Sequence, residues 1–215
     1  MTANAHTPKR LEMVENQIVA RGITDSRVLD AMREVPREKF ISTEFSARAY
    51  EDSPLPIEDG QTISQPYIVA LMVEALDMSE HDRVLEIGAG SGYAAAVISR
   101  VAREVYAVER HAALANIATN RVSNLGYDNI HILCGDGSLG WPEFAPFDAI
   151  LVSAGSPVVP DSLLRQLAIG GRLVIPVGDE LSQQLLRITK TDATNFVRST
   201  LCPVRFVPLI GREGW

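Results

Sequence analysis

The residues with the strongest chemical character are glycines and acids placed where apolar runs end. The segment Glu86-Ile87-Gly88-Ala89-Gly90-Ser91-Gly92-Tyr93 joins one such run to a helix-like stretch. Glycines at alternate positions let the backbone turn sharply and let a ligand approach closer than a Cβ permits. The pattern is GxGxG with an acid, Glu86, before it, not the GxGxxG of dinucleotide sites. A pyrophosphate needs bare amides at a helix mouth, whereas a ligand carrying an ammonium and a sulfonium suits a carboxylate there. The plain alternative is a glycine-rich strand–helix turn with no ligand.

Two further acids follow the same logic. Glu109 closes the run Glu104–Val108, 21 positions after Gly88, about where an acid meets ribose hydroxyls in adenosine-binding sheets. A carboxylate accepts two hydrogen bonds from a vicinal diol, with charge assistance. Asp136, between Gly135 and Gly137, stands after the next run and is placed to accept from a purine amine while backbone amides meet the ring. Taken singly, Glu109 is equally a helix-start acid and Asp136-Gly137 equally a turn. Three such loops after three successive strands point to a nucleoside-containing ligand. Upstream, Asp59-Gly60-Gln61-Thr62-Ile63-Ser64-Gln65-Pro66-Tyr67 offers Ser64 or Gln65 as cap of a helix opened by Pro66, and a loop able to fold over the ligand. No Gly-Lys dipeptide supports a Walker loop, and Ser91 lacks the GxSxG spacing of a nucleophile elbow.

The elements that must position these residues are legible as an alternation. Strands are predicted at Arg83–Ile87, Glu104–Val108, Asn129–Cys134, Asp148–Val152 and Arg172–Pro176, each short and rich in Val, Ile or Leu. Helices are predicted at Tyr93–Val101, His111–Leu125 with Gly126 as its stop, and Asp161–Leu167, capped by Asp161 and ended by Gly170-Gly171. The stretch from about Lys9 to Asp77 has helix-like spacing with breaks at Pro36, Pro54 and Pro56, and the chain from Gln184 reads as strands. Such a chain is an α/β, doubly wound, mostly parallel Rossmann-like sheet with helices on both faces, an N-terminal helical extension and C-terminal strands. A single domain is expected over 1–215: a helical, substrate-side region (about 9–80), a cofactor-binding core (about 81–178) and the C-terminal strands (about 179–215).

Composition narrows the chemistry. The 215 residues carry 20 basic and 27 acidic side chains, a net charge of -7, four histidines and two cysteines. An acidic chain argues against binding the phosphate backbone of nucleic acid. Histidines at least 20 positions apart and two distant cysteines give no metal-ligand pair, so no metal is expected. The longest apolar run, Tyr67–Val73, is too short to cross a bilayer, and MTANAHTPKR has no apolar signal region. A cytoplasmic protein, with no nucleic-acid partner, no membrane and a monomeric state, is expected.

At this point a resemblance enters. VLEIGAGSGY, YAVER, GDG, PFDAILVSAG and LLRQLAIGGRLVIPVG are similar to the class I S-adenosylmethionine-dependent methyltransferases, and DGQTISQPY, VPREKF and VRFVPL resemble the protein-L-isoaspartate O-methyltransferase family, over about Met13 to Leu209. The resemblance implies S-adenosyl-L-methionine as cofactor and methylation of the α-carboxylate of isoaspartyl residues in aged proteins and peptides. The ester then closes to a succinimide, which hydrolyses in part to normal aspartate. It further implies that Gly88, Gly90 and Gly92 cradle the methionine part, that Glu109 holds the ribose, and that Asp136 with Gly137 holds the adenine. Thr62, Ile63 and Ser64 line the reaction centre, with Ser64 in an active-site role. A methyltransferase acting on a small molecule or RNA is the alternative. Two departures from the family pattern are the loop Val152-Ser153-Ala154-Gly155, where relatives often carry two alanines and Gly155 is expected to loosen the substrate wall, and the sequence Gly211–Trp215 after VRFVPL.

A carboxylate is ionised at neutral pH and a sulfonium is a ready leaving group, so no general base is needed. Ser64 then orients the incoming carboxylate and is not a nucleophile, since no histidine is near it in sequence to activate it. Val204–Leu209 alternates like an edge strand and Pro208 fits only an edge, so a substrate backbone is expected to add alongside it.

Overall fold

Short Val/Ile/Leu runs separated by helical segments can bury both faces only as a parallel sheet, and the chain does this. The computed structural model describes residues 6–215. Its strands are β1 (Leu55–Pro56), β2 (Thr62–Ile63), β3 (Arg83–Ile87), β4 (Glu104–Glu109), β5 (Ile130–Cys134), β6 (Phe147–Val152), β7 (Leu167–Gly178), β8 (Gln183–Lys190) and β9 (Phe196–Val204). Its α-helices are α1 (Thr7–Met13), α2 (Ser26–Glu34), α3 (Pro66–Ala75), α4 (Tyr93–Ile98), α5 (Ala112–Asn124) and α6 (Asp161–Gln166). The main sheet has the order β5-β4-β3-β6-β7-β8-β9. The first five of these are parallel; β8 and β9 return antiparallel as a hairpin extension.

Alternation along each central strand sends side chains to two separate cores. Val84, Val105, Ala107, Ala149 and Leu151 join the larger core under the N-terminal helices. Leu85, Ile87, Val108, Ile150 and Val152 join the second, with Leu163 of α6. The N-terminal extension packs through Met13, Val14, Ile18, Val28 and Met32. Within it Arg37 is fully buried, donates to the Ala49 carbonyl at 2.8 Å, and lies 4.9 Å from the centre of the Tyr93 ring. That contact joins the extension to the first turn of α4.

Several local expectations are corrected. Asp161 does not cap α6; Pro160 holds the cap position, and Glu213 accepts from the Ser162 amide instead. The helix stops at Gln166 because pairing with β6 draws Leu167 into the sheet, and Gly170 and Gly171 fall in an irregularity of β7. Gln65 stands at the cap of α3, but neither it nor Ser64 makes a capping hydrogen bond. The segment 55–63, read within a helix-like stretch, contains the antiparallel ribbon β1–β2. Among the described residues, no helix is long and apolar enough to cross a membrane.

Candidate active site

The strand order reverses beside β3: the chain runs outward through β4 and β5, then returns to β6 on the other side. Ligands of doubly wound sheets bind at such a switch point, beyond the carboxyl ends of the strands. A cleft of about 320 Å³ lies there, bordered by Gly88 and Gly90 after β3, Glu109 at the end of β4 with His111 beyond it, and Ser153 after β6. A second cleft of about 200 Å³ adjoins it, bordered by Ser64, Ile68, Arg205 and Phe206. A small recess between them is lined by Ile63, Ser64, Glu86 and Gly90. Thr62 and Ser153 border all three spaces, so they mark the junction.

Glu86 is the electrostatic centre of the recess. It lies in β3, between β4 and β6, and is 1% exposed. One carboxylate oxygen accepts from the Ser153 hydroxyl at 3.4 Å; the other, Oε2, is buried without a hydrogen-bond partner among the described residues. Loss of water pushes its pKa up to about 8; the Ser153 hydroxyl and the Ala95 amide offset this only in part, and the nearby Glu109 reinforces it. A buried carboxyl facing a recess, with one acceptor unused, is matched to a ligand that brings a cation.

Glu109 is held at the mouth of the larger cleft. Its Oε2 accepts from the Gly90 amide at 2.8 Å and its Oε1 from the His111 amide at 2.9 Å. Each oxygen keeps a second lone pair, and two fixed amides leave the carboxylate no freedom to swing away. Gly137 is buried on the cleft wall, with no room for a Cβ, which would stand 2.5 Å from Ile87 Cγ2. Ser64 lies at the edge of recess and second cleft, its hydroxyl without a protein partner among the described residues.

Two predicted residues are placed elsewhere. Gly92 does not border the clefts; it takes φ +86° to open α4, and a Cβ there would meet Val122 Cγ1 and Ala118 Cβ of α5. It serves the turn and the helix packing. The Asp136 carboxylate is engaged by protein: Oδ1 accepts from the Ser138 amide and hydroxyl, and Oδ2 from the Arg212 amide at 2.8 Å. Burial works to raise its pKa, but these donors outweigh it and hold the group below the usual carboxylate range.

The expected free edge at 204–209 is also corrected. Phe206 bonds through both its amide and its carbonyl to the buried side chain of Gln183, while the Val207 carbonyl and Leu209 amide pair with Gly155. Gly155 does not loosen this wall: a Cβ there would stand 2.4 Å from Gln183 Nε2, so its absence lets the strut pass. The residues missed at the site are Ser153 and the pair Leu209 and Ile210, which close the larger cleft. Ser153 directly follows β6, and the strand-end rule that singled out the other loops applies to it equally. Leu209 and Ile210 belong to no strand or helix; Leu209 was read only as the end of a substrate-side edge, and Ile210 carried no signal.

The arrangement fits an adenosylated amino acid: a buried carboxylate with one unused oxygen for its ammonium, a narrow glycine passage at Gly88 and Gly90, and a fixed acid for a diol. Among the described residues, no group of three or more His, Cys, Asp or Glu side chains is gathered to hold a metal ion.

Comparison with known proteins agrees with this geometry. The family described as Protein-L-isoaspartate(D-aspartate) O-methyltransferase (PCMT) matches residues 8–214. The chain is 57% identical over 208 residues to protein-L-isoaspartate O-methyltransferase 2 of Pelobacter propionicus, covering 96% of this chain and 92% of that protein. It is 56% identical to protein-L-isoaspartate O-methyltransferase of Protochlamydia amoebophila, covering 94% and 97%. Among solved structures, a protein-L-isoaspartate O-methyltransferase superposes with a TM-score of 0.86 at 34% identity, covering 97% of this chain and 67% of that one. A Plasmodium falciparum relative in complex with S-adenosyl-L-homocysteine gives 0.81 at 28%, covering 94% and 99%.

Proposed function

Because the chain belongs to the protein-L-isoaspartate(D-aspartate) O-methyltransferase family, we propose that it methylates the α-carboxylate of L-isoaspartyl residues in damaged proteins and peptides, drawing the methyl group from S-adenosyl-L-methionine. The alternative, a small molecule or RNA as acceptor, is not favoured by any of the relatives named above. The observation that carries the reading is the meeting of the two clefts at Thr62 and Ser153, one with fittings for a nucleoside and one open beside Ser64.

The bound cofactor supplies a methyl group on a sulfonium, an electrophile that needs no further activation. The chain's residues do the rest by position. Glu86 receives the ammonium end in the recess, Gly88 and Gly90 let the backbone close on the methionine part, and Glu109 accepts from the ribose. Gly137 presents backbone to the base. Ile63 and Thr62 wall the junction, where a carboxylate entering from the second cleft would be held with water displaced. Ser64 donates its hydroxyl to that carboxylate and fixes its line of approach. No residue removes a proton, because an ordinary carboxylate is already ionised at neutral pH. Alignment and proximity of this kind supply roughly 7–11 kcal/mol of barrier lowering.

Leaving the ester to close on its own peptide nitrogen requires only that the product be released. The protein works as a monomeric cytoplasmic enzyme on protein and peptide substrates, without nucleic acid or membrane, and the whole chain forms one domain in which the N-terminal extension and C-terminal strands frame the acceptor cleft. The test is methyl transfer from labelled S-adenosyl-L-methionine to paired peptides differing only in isoaspartate or aspartate. Base-labile label on the isoaspartyl member alone supports the reading; equal labelling, or label stable to base, overturns it.

A further inference from the structure

The segment that closes the nucleoside cleft, Leu209 and Ile210, lies beyond the last strand, where sheet hydrogen bonding no longer fixes the chain. Something else must hold it. Gly155 takes the Val207 carbonyl at 2.8 Å and the Leu209 amide at 2.7 Å, and Trp215 returns its indole N–H to the Gly155 carbonyl at 3.1 Å. Past Ile210 the chain turns back over Asp136, approaching so closely that a Cβ on Gly211 would stand 2.0 Å from Asp136 Oδ1. The Arg212 amide donates to Asp136, and the Glu213 amide donates to Ser138 Oγ at 3.0 Å.

Glu213 then reaches away from the cleft to the first turn of α6. Its Oε2 accepts from the Ser162 amide at 2.8 Å and its Oε1 from the Ser162 hydroxyl at 2.6 Å, with Arg165 at 3.5 Å. These bonds satisfy a helix-end amide that α6 leaves uncapped from within. The hydroxyl and amide of Ser162, with Arg165, draw the Glu213 carboxyl below its usual range. The connection therefore runs from α6 through Glu213, across the turn at Arg212 and Asp136, to the wall residues.

We propose that Glu213 is a positioning residue for cofactor binding: it pins residues 211–215 to α6, and so keeps Leu209 and Ile210 in place as the wall of the nucleoside cleft. Asp136 acts through the same strap, holding the Arg212 amide at 2.8 Å. The inference rests on the reading that this cleft takes the adenosine part of S-adenosyl-L-methionine.

Glu213 touches neither clefts nor junction, which separates its effect from that of a catalytic residue. The experiment compares the full-length protein with Glu213→Ala, Glu213→Gln and Ser162→Ala, measuring S-adenosyl-L-homocysteine binding by calorimetry, and KM for each substrate together with kcat. Glu213→Ala should raise the dissociation constant about tenfold, the scale of two charge-assisted bonds partly offset by water. KM for S-adenosyl-L-methionine should rise in parallel, while KM for the isoaspartyl peptide and kcat at saturation stay within about twofold. Glu213→Gln should recover most of the affinity, because its amide oxygen accepts from the Ser162 amide and its NH₂ donates to the hydroxyl. Ser162→Ala, which leaves the strap's own residues intact, should fall between. Asp136→Ala combined with Glu213→Ala should lose less than the product of the two single effects, since both release one segment. Unchanged cofactor affinity in Glu213→Ala and Ser162→Ala overturns the proposal, as does an equal rise in both KM values. Wild-type protein that fails to bind S-adenosyl-L-homocysteine refutes the underlying reading of the cleft instead.

Discussion

Glu86 makes cofactor binding a proton-linked event. Among the described residues its carboxyl is buried with one partnerless oxygen, and loss of water pushes its pKa up to about 8. At pH 7 roughly nine in ten molecules therefore hold the proton. A ligand whose ammonium enters the recess favours the ionised form, so binding must expel that proton. The cost of ionising it at pH 7 is about 1.4 kcal/mol, and it disappears as the pH passes 8. If the bound carboxyl is fully ionised, the affinity for S-adenosyl-L-homocysteine rises about fiftyfold from pH 6 to pH 8, with close to one proton released per ligand at the lower end. Calorimetry in buffers of different ionisation enthalpy reads both quantities. Glu86→Gln should abolish the pH slope and weaken binding at pH 8 at least about tenfold, having no charge to offer the ammonium. A flat affinity across this range in the wild type would refute the reasoning, as would an unchanged slope in Glu86→Gln.

The same carboxyl shapes the stability of the ligand-free protein. Its folded pKa is raised, so the folded state holds a proton that the unfolded chain has lost above the ordinary carboxylate range; stability therefore falls as pH rises toward 8, and Glu86→Gln should flatten that part of the thermal-melting profile. Ser64→Ala should lower kcat about tenfold to a hundredfold, the worth of one hydrogen bond to an ion, while S-adenosyl-L-homocysteine binds within about twofold of wild type; lost binding with normal turnover would remove Ser64 from the role. Gly155→Ala forces its Cβ against Gln183, whose amide is already committed to Phe206. It should cost about 1–3 kcal/mol in urea unfolding and raise the peptide KM more than the cofactor KM.

What was legible in the sequence was whatever the backbone pattern enforces locally. A buried parallel strand must be apolar and short, so β3 has its predicted limits and β4, β5 and β6 differ by one residue at one end; β7 begins five residues before its predicted start and ends two after. The acids and glycines following those strands were found because strand ends point at the switch point, and Glu86, Glu109, Gly88, Gly90 and Gly137 are brought to the cleft walls. The misses share one cause: long-range partners with no local signature. Gly92 looks like part of the glycine passage, yet its missing side chain admits α5. Asp136 was read for its loop alone, and the Arg212 amide that its Oδ2 holds comes from 76 positions away. The edge of VRFVPL is occupied by a glutamine side chain from β8 that no alternation reveals. α6 ends one residue before its predicted limit, stopped by the pairing of Leu167 with β6 and not by the glycines beyond it.

The central claim is that this site selects an isoaspartyl carboxylate and needs no chemistry beyond alignment. It is tested most directly by incubating an equimolar mixture of an isoaspartyl peptide and its aspartyl counterpart with the protein and S-adenosyl-L-methionine, and following both by chromatography and mass spectrometry. The account predicts methyl ester on the isoaspartyl peptide alone, located by fragmentation at the α-carboxylate. Succinimide should follow, and then a growing fraction of the aspartyl peptide. Methyl ester on both peptides, or on neither while the protein binds S-adenosyl-L-homocysteine, would contradict it.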